Sequence, residues 1–193
     1  MDSFFLPLVA AAVAEWGDKT QILALLLALH YRKPGIILFA IACAAALNAS
    51  LAAFGGSLLG AYMNGNAAQL FMAVALTLAA IGTLLPFDEP DNGIGWRMGS
   101  WKVGIFLASF IGFATIEFGD KTQFLTAGFG AMLPIWPFVA LGAAIGTVIS
   151  CAPAVMMAEI FRETIQLKLI RRISGGLFLF VAAILAINAF RLI

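Results

Sequence analysis

EWGDKTQ, residues 15–21, interrupts an apolar run, with FFLPLVAAAVA (4–14) before it and ILALLLAL (22–29) after it. A charged side chain at the centre of a bilayer costs about 2.5–3.5 kcal/mol on insertion scales. Three such residues in seven positions therefore need a use or a set of partners. The same question recurs 102 residues later, where residues 117–123 read EFGDKTQ. Six of the seven positions are identical, and the seventh exchanges Trp16 for Phe118.

The surrounding chain is that of a membrane protein. Of its 193 residues 63% are hydrophobic and 11% charged, with a mean hydropathy of +1.03. A soluble domain needs about twice that charged fraction to cover its surface. Apolar stretches of about 20 residues are long enough to cross a bilayer as helix, and six are predicted: Ser3–Leu29, Gly35–Tyr62, Ala67–Pro86, Val103–Gly130, Pro134–Ala158 and Ile173–Phe190. The fold class is all-α and polytopic. The first and fourth spans are longer than a crossing requires, which implies tilt, an interfacial end or a break near the motif. Asp2 and the lack of Lys or Arg at the start argue against a cleaved signal peptide, so the first span is expected to be retained.

Short-loop Lys and Arg residues set orientation. Arg32, Lys33, Arg97, Lys102, Arg162, Lys168, Arg171 and Arg172 fall on one side, and only Arg191 falls on the other. The basic side is expected to be cytoplasmic, with both termini outside. Tyr31, Tyr62, Trp96, Trp101 and Trp136 stand at predicted span ends, as interfacial aromatics do.

Three spans precede the second motif's span, an odd number, so the two halves enter the membrane from opposite faces. The expected organisation is a three-helix repeat over 1–86, a cytoplasmic linker over 87–102 and an inverted three-helix repeat over 103–193. Weaker echoes support the pairing: Pro34 with Pro137, and LAAIG (78–82) with VAAIL (181–185), each at an offset of 103. Inverted repeats in transporters place ion sites at mid-bilayer between the halves, with gates related by the pseudo-two-fold. Both motifs sit at the middle of their spans.

Residues three and four apart share a helix face, so Glu15 and Asp18 project together, as do Glu117 and Asp120. Four carboxylates then converge, with Gln21 and Gln123 as further oxygen donors. Such hard oxygens suit Mg²⁺, Ca²⁺ or Mn²⁺. Thr20, Thr122, Asn48 and Ser150 are candidates for supporting contacts, and Lys19 and Lys121 for ion pairing or proton coupling. Four acids and two lysines leave a formal charge of −2, which one divalent cation or two protons would cancel. Gly17 and Gly119 permit either close helix approach or local unwinding. The bland alternative is Asp–Lys pairs that only stitch helices together; duplication of the motif weighs against it.

Other features carry less. GSLLG (56–60) and GAAIG (142–146) read as small-residue packing seams, Cys43 and Cys151 as packed apolar groups, and His30 as an interfacial residue. Glu159 reads as the solvated end of the fifth span, and Asp88, Glu89 and Asp91 as a solvated linker.

Two copies of Glu–apolar–Gly–Asp–Lys–Thr, each in the first helix of a three-helix unit, resemble uncharacterised protein family 0016, which includes bacterial manganese exporters and Golgi and chloroplast relatives. The resemblance covers nearly the whole chain. It implies export of Mn²⁺, or transport of Ca²⁺, in exchange for protons across a bacterial inner membrane, with the motif acids as ligands. No enzymatic cofactor and no nucleic acid partner is expected beyond the ion and membrane lipid, and homo-oligomerisation is left open. An intramembrane aspartyl protease is the competitor from another class, but its Gly-x-Gly-Asp motif would need glycine where Trp16 and Phe118 stand. A passive channel is the other.

Overall fold

A computed structural model describes residues 1–85, 104–158 and 167–190 of the chain. Within them lie eight α-helices and no strand: α1 (Asp2–Glu15), α2 (Lys19–Tyr31), α3 (Pro34–Gly60), α4 (Gly65–Leu84), α5 (Ile105–Glu117), α6 (Lys121–Met132), α7 (Trp136–Met156) and α8 (Leu167–Ala189). α3, α4, α7 and the stretch Leu169–Ala189 of α8 are each long and apolar enough to cross a membrane.

The remaining four helices form two collinear stretches of sequence, each broken inside the motif. Predicted span one is α1 plus α2, and predicted span four is α5 plus α6. At each break a glycine has positive φ, +80° at Gly17 and +76° at Gly119. A side chain in that left-handed region costs roughly 1–2 kcal/mol, which explains glycine at both places. Of the options the sequence left for these long spans, the break is the one found. The sixth predicted span is too short: α8 begins at Leu167, six residues before Ile173. Its early residue Arg171, assigned from sequence to a loop, donates from Nε to the Thr83 carbonyl (3.0 Å) and from Nη2 to that of Leu85 (2.8 Å). The last carbonyls of a helix have no acceptor role within it, so a guanidinium at the end of α4 can satisfy them and favours the negative end of the helix dipole.

Other boundaries follow from local chemistry. Pro34 opens α3 and Pro137 lies in the first turn of α7, where a missing N–H costs nothing. Asn64 caps α4 by accepting from the Ala67 N–H at 2.8 Å. Arg32 ends α2 in the left-handed region, with φ 51°.

Packing crosses between the halves. α1 and α2 lie against α7, and α5 and α6 lie against α3; α3 also packs on α7, and α4 on α8. The buried apolar side chains are mostly alanines, because in an apolar medium helices associate through close van der Waals contact, which small residues allow. Gly56 and Gly60 face the backbones of Ala127 and Ala131 on α6, while Gly142 and Gly146 face those of Phe4 and Leu8 on α1. Residues 159–166, 86–103 and 191–193 hold Glu159, Asp88, Glu89, Asp91, Trp96, Trp101, Arg97, Lys102, Arg162 and Arg191, so the readings made for these lie outside the described residues.

A Cβ at Gly56 would lie 2.0 Å from the Ala127 carbonyl oxygen, whereas one at Gly55 meets nothing within 4 Å. Gly56→Ala is expected to lower stability by about 1–3 kcal/mol through overpacking. Gly55→Ala is expected to be neutral or to stabilise by up to about 1 kcal/mol through helix propensity. Thermal melts of the two purified variants in detergent check the contrast.

Candidate metal-binding site

Both breaks are built alike. α1 stops at Glu15 and α2 restarts at Lys19, with Asp18 in the N-cap position; α5 stops at Glu117 and α6 restarts at Lys121, with Asp120 in that position. Neither aspartate caps its own helix through its side chain. The glutamine four residues beyond each glycine closes the break instead. Gln21 Oε1 accepts from the Gly17 N–H at 2.9 Å, and Gln123 Oε1 accepts from the Gly119 N–H at 2.8 Å. An amide proton freed by unwinding in an apolar setting must find such an acceptor, whether buried as at Gly17 or exposed as at Gly119, which gives Gln at the seventh motif position a structural role.

With both breaks held open, the charged side chains reach across. Lys19 Nζ lies 2.8 Å from Asp120 Oδ1, and Lys121 Nζ lies 2.6 Å from Asp18 Oδ2 and 3.8 Å from Asp120 Oδ2. Each lysine thus pairs with the aspartate of the other motif. A helical face alone would have put Lys19 beside Glu15; the break sends it elsewhere. The two pairs are unequal in burial: Lys121 and Asp18 are 5% and 8% exposed, Lys19 and Asp120 31% and 15%.

Carboxylate oxygens of Glu15, Asp18 and Asp120 lie within 4.8 Å of one another, a separation that one divalent cation with oxygen ligands at about 2.0–2.6 Å can bridge. Glu15 is fully buried and accepts hydrogen bonds from the hydroxyls of Thr20 and Thr122, one from each motif. The threonines therefore hold one glutamate in common. Glu117 lies outside that group of three, though it too is buried. Its Oε2 is 3.4 Å from Asn48 Nδ2, which also donates to the Ala114 carbonyl at 3.1 Å. A narrow crevice lined by Glu117, Thr122, Gln123, Thr126 and Thr147 runs beside it. Ser150 contributes its backbone: its carbonyl accepts from Gln21 Nε2 at 2.6 Å. Cys151 is packed in the apolar core and Cys43 is partly buried, neither in a disulfide.

Sequence reasoning passed over Gly82 of α4. A Cβ there would come within 3.3 Å of Lys121 Cδ, so the absence of a side chain is what gives the lysine stem room. The available signal was the last letter of the paired pentapeptides, Gly82 against Leu185.

The profile of the family described as divalent cation/proton antiporter GDT1 matches residues 3–91 and 105–192. The chain belongs to this family. It is accordingly a transporter, not an enzyme. A protein of Vibrio cholerae serotype O1 named "Putative manganese exporter" is 35% identical over 94% of this chain and 89% of its own length. A GDT1-like protein of Synechocystis sp. is 26% identical over 95% of this chain and 96% of its own. No solved structure matches the chain.

Removing either aspartate's charge strands a different lysine. Asp18→Asn leaves the buried Lys121 ammonium without its nearest partner and is expected to cost about 3–5 kcal/mol. Asp120→Asn strands the more exposed Lys19 and should cost less. The order of melting temperatures, Asp18→Asn below Asp120→Asn below wild type, is the check.

Proposed function

We propose that the chain exports Mn²⁺ from the cytoplasm in exchange for protons, binding the ion between its two motifs. The observation that carries this reading is the convergence of Glu15, Asp18 and Asp120 from two halves of the chain onto one buried point. Ligation by Glu15, Asp18 and Asp120, with Glu117, Gln21 and Gln123 within the same structural unit, supplies only hard oxygen donors, the set that Mn²⁺ and Ca²⁺ accept. The Vibrio cholerae relative's name favours manganese. The scarcity of carboxylates does too, since Ca²⁺ takes 6–8 oxygens.

In this reading α1–α2, α3 and α4 form one three-helix repeat and α5–α6, α7 and α8 its inverted copy, giving six crossings of the bacterial inner membrane with both termini on the periplasmic side. Support comes from the packing: exchanging the halves turns α1-on-α7 into α5-on-α3 and α2-on-α7 into α6-on-α3, and all four contacts exist. The two stretches matched by the family profile coincide with the two halves. Half-helix ends at the breaks suit ion transit, because freed carbonyls and N-cap acids meet at one depth. The four acids and two lysines sum to −2, so one Mn²⁺ outward against two H⁺ inward keeps the centre neutral at each stage.

The exchange of halves fails at one contact. α4 packs on α6, but among the described residues α8 makes no comparable contact with α2. Alternating access requires such an inequality, with one side closed while the other is open; the opposite state would carry α8 on α2.

Proteoliposomes of the purified protein are expected to accumulate Mn²⁺ against its gradient when a pH difference is imposed, and Asp120→Asn should abolish this while the protein remains folded. Ca²⁺ flux without Mn²⁺ flux would replace the ion; downhill flux indifferent to pH would replace the exchanger with a channel. A second measurement addresses the moving parts. Ala75 Cβ lies 3.3 Å from the Cβ position of Gly128, within a few tenths of an ångström of the disulfide range, once the Met72 thioether, at 2.6 Å from that position, turns aside. With Cys43 and Cys151 replaced by Ala, oxidised Ala75→Cys/Gly128→Cys protein should be locked with α4 on α6 and transport-dead, and a reductant should restore flux. Unimpaired flux in the cross-linked protein would show that this contact does not move.

A further inference from the structure

The two ion pairs are related by the repeat, yet they are built into different surroundings. The Lys121 stem lies along Gly82, 3.3 Å from where a Cβ would be, beneath an α4 whose Leu76 and Ala80 are 3% and 0% exposed. The counterpart of Gly82 at the offset of 103 is Leu185, and the counterparts of Leu76 and Ala80 are Leu179 and Ala183, both exposed on α8. In this state, among the described residues, α8 makes no comparable contact with α2, and the half that contains Leu185 gives Lys19 no equivalent seat.

Charge gives this difference a consequence. A cation bridging the three carboxylates must come close to Asp120, where Lys19 Nζ now stands at 2.8 Å, and like charges at that range repel strongly in a medium of low dielectric. Lys19 is the lysine with somewhere to go, being 31% exposed against 5% for Lys121.

We propose that Gly82 is a positioning residue of the ion site: it seats Lys121 on Asp18 as a standing counter-charge and thereby leaves Lys19 as the ammonium that an incoming divalent cation displaces from Asp120. This rests on the transport reading above and assigns the two lysines opposite effects on the ion. Lys19 competes with it, and Lys121 holds the acid framework that receives it.

The test is Mn²⁺ binding to purified protein, followed by loss of the free-ion electron paramagnetic resonance signal, with proteoliposome flux alongside. Lys19→Gln is expected to tighten Mn²⁺ binding by about tenfold through loss of a competing charge, and Lys121→Gln to weaken it by about tenfold because Asp18 loses the ion pair that holds its carboxylate in place, a positioning effect that must outweigh the opposite Coulomb effect of removing a cation. Gly82→Leu should behave as Lys121→Gln does. The double variant should show no further loss, the non-additivity expected if Gly82 acts through Lys121. Gly82→Ala, which asks the stem to move only a few tenths of an ångström, should shift binding in the same direction by less, and it carries the test if the leucine variant does not fold. Gly82 variants that bind like wild type, or Lys19→Gln and Lys121→Gln shifting affinity the same way, would overturn the proposal while leaving the exchanger reading intact. A wild-type protein that binds and moves neither Mn²⁺ nor Ca²⁺ would sink both.

Discussion

Buried charge must be paired, and here the pairing is exchanged between the two motifs: Lys19 with Asp120, Lys121 with Asp18. Each lysine makes its shortest contact with the aspartate of the other motif, while within one motif Lys121 comes only to 3.8 Å of Asp120. The ion pairs therefore fix the approach of α1–α2 to α5–α6, and that approach brings Glu15 between Thr20 and Thr122. Replacing such pairs with well-packed apolar residues often costs a protein nothing in stability. Their presence in an apolar setting is thus better explained by what they hold in readiness than by any contribution to folding.

The approach depends in turn on the surrounding helices being thin. α3 and α7 meet their neighbours through glycines whose missing side chains are filled by backbone of α6 and α1, and through a core composed largely of alanine. A chain lined with leucine at those places would hold the broken helices farther apart, and two aspartates could not reach across to lysines with bonds under 3 Å. Close packing is also what permits motion: interfaces of small residues lack interdigitating side chains that would have to unlock before one helix slid past another. The small-residue seams and the ionic centre are consequently parts of one arrangement.

How much of this could be read from the chain varies with the physics behind each feature. Membrane character, the helical class and the meeting of Glu15, Asp18 and Asp120 were legible, because hydropathy is additive along the chain and a seven-residue repeat at a fixed offset stands out against apolar sequence; Glu117, expected in the same cluster, lies outside that group of three. The break at Gly17 and Gly119 was visible only as one choice among several, since glycine serves close packing and positive φ equally well. Which lysine pairs with which aspartate was not legible: helical spacing placed Lys19 beside Glu15, and only the unwound backbone redirects it. Gln21 and Gln123 read as ion ligands, and their carbonyls are found on glycine amides, a need that does not exist until the helix is broken. Arg171 read as a loop cation because charge counting locates membrane faces but does not see the carbonyls at the end of α4.

A repeat that were exact in every residue would present a cation with two equivalent lysines, each holding one aspartate, and no rule for which should yield. The motif itself preserves that equivalence, six residues in seven. The difference enters from outside the motif, at the helix that covers it, where glycine in one half faces leucine in the other. Gly82 of α4 lies against the stem of Lys121, which is 5% exposed, while Lys19, in the half whose α8 carries Leu185, is 31% exposed. In the proposed exchanger, motif acids alike in both halves under different packing would keep the ion's chemistry symmetric and make its access asymmetric, which is the combination a carrier needs if the ion is to enter from one side and leave by the other.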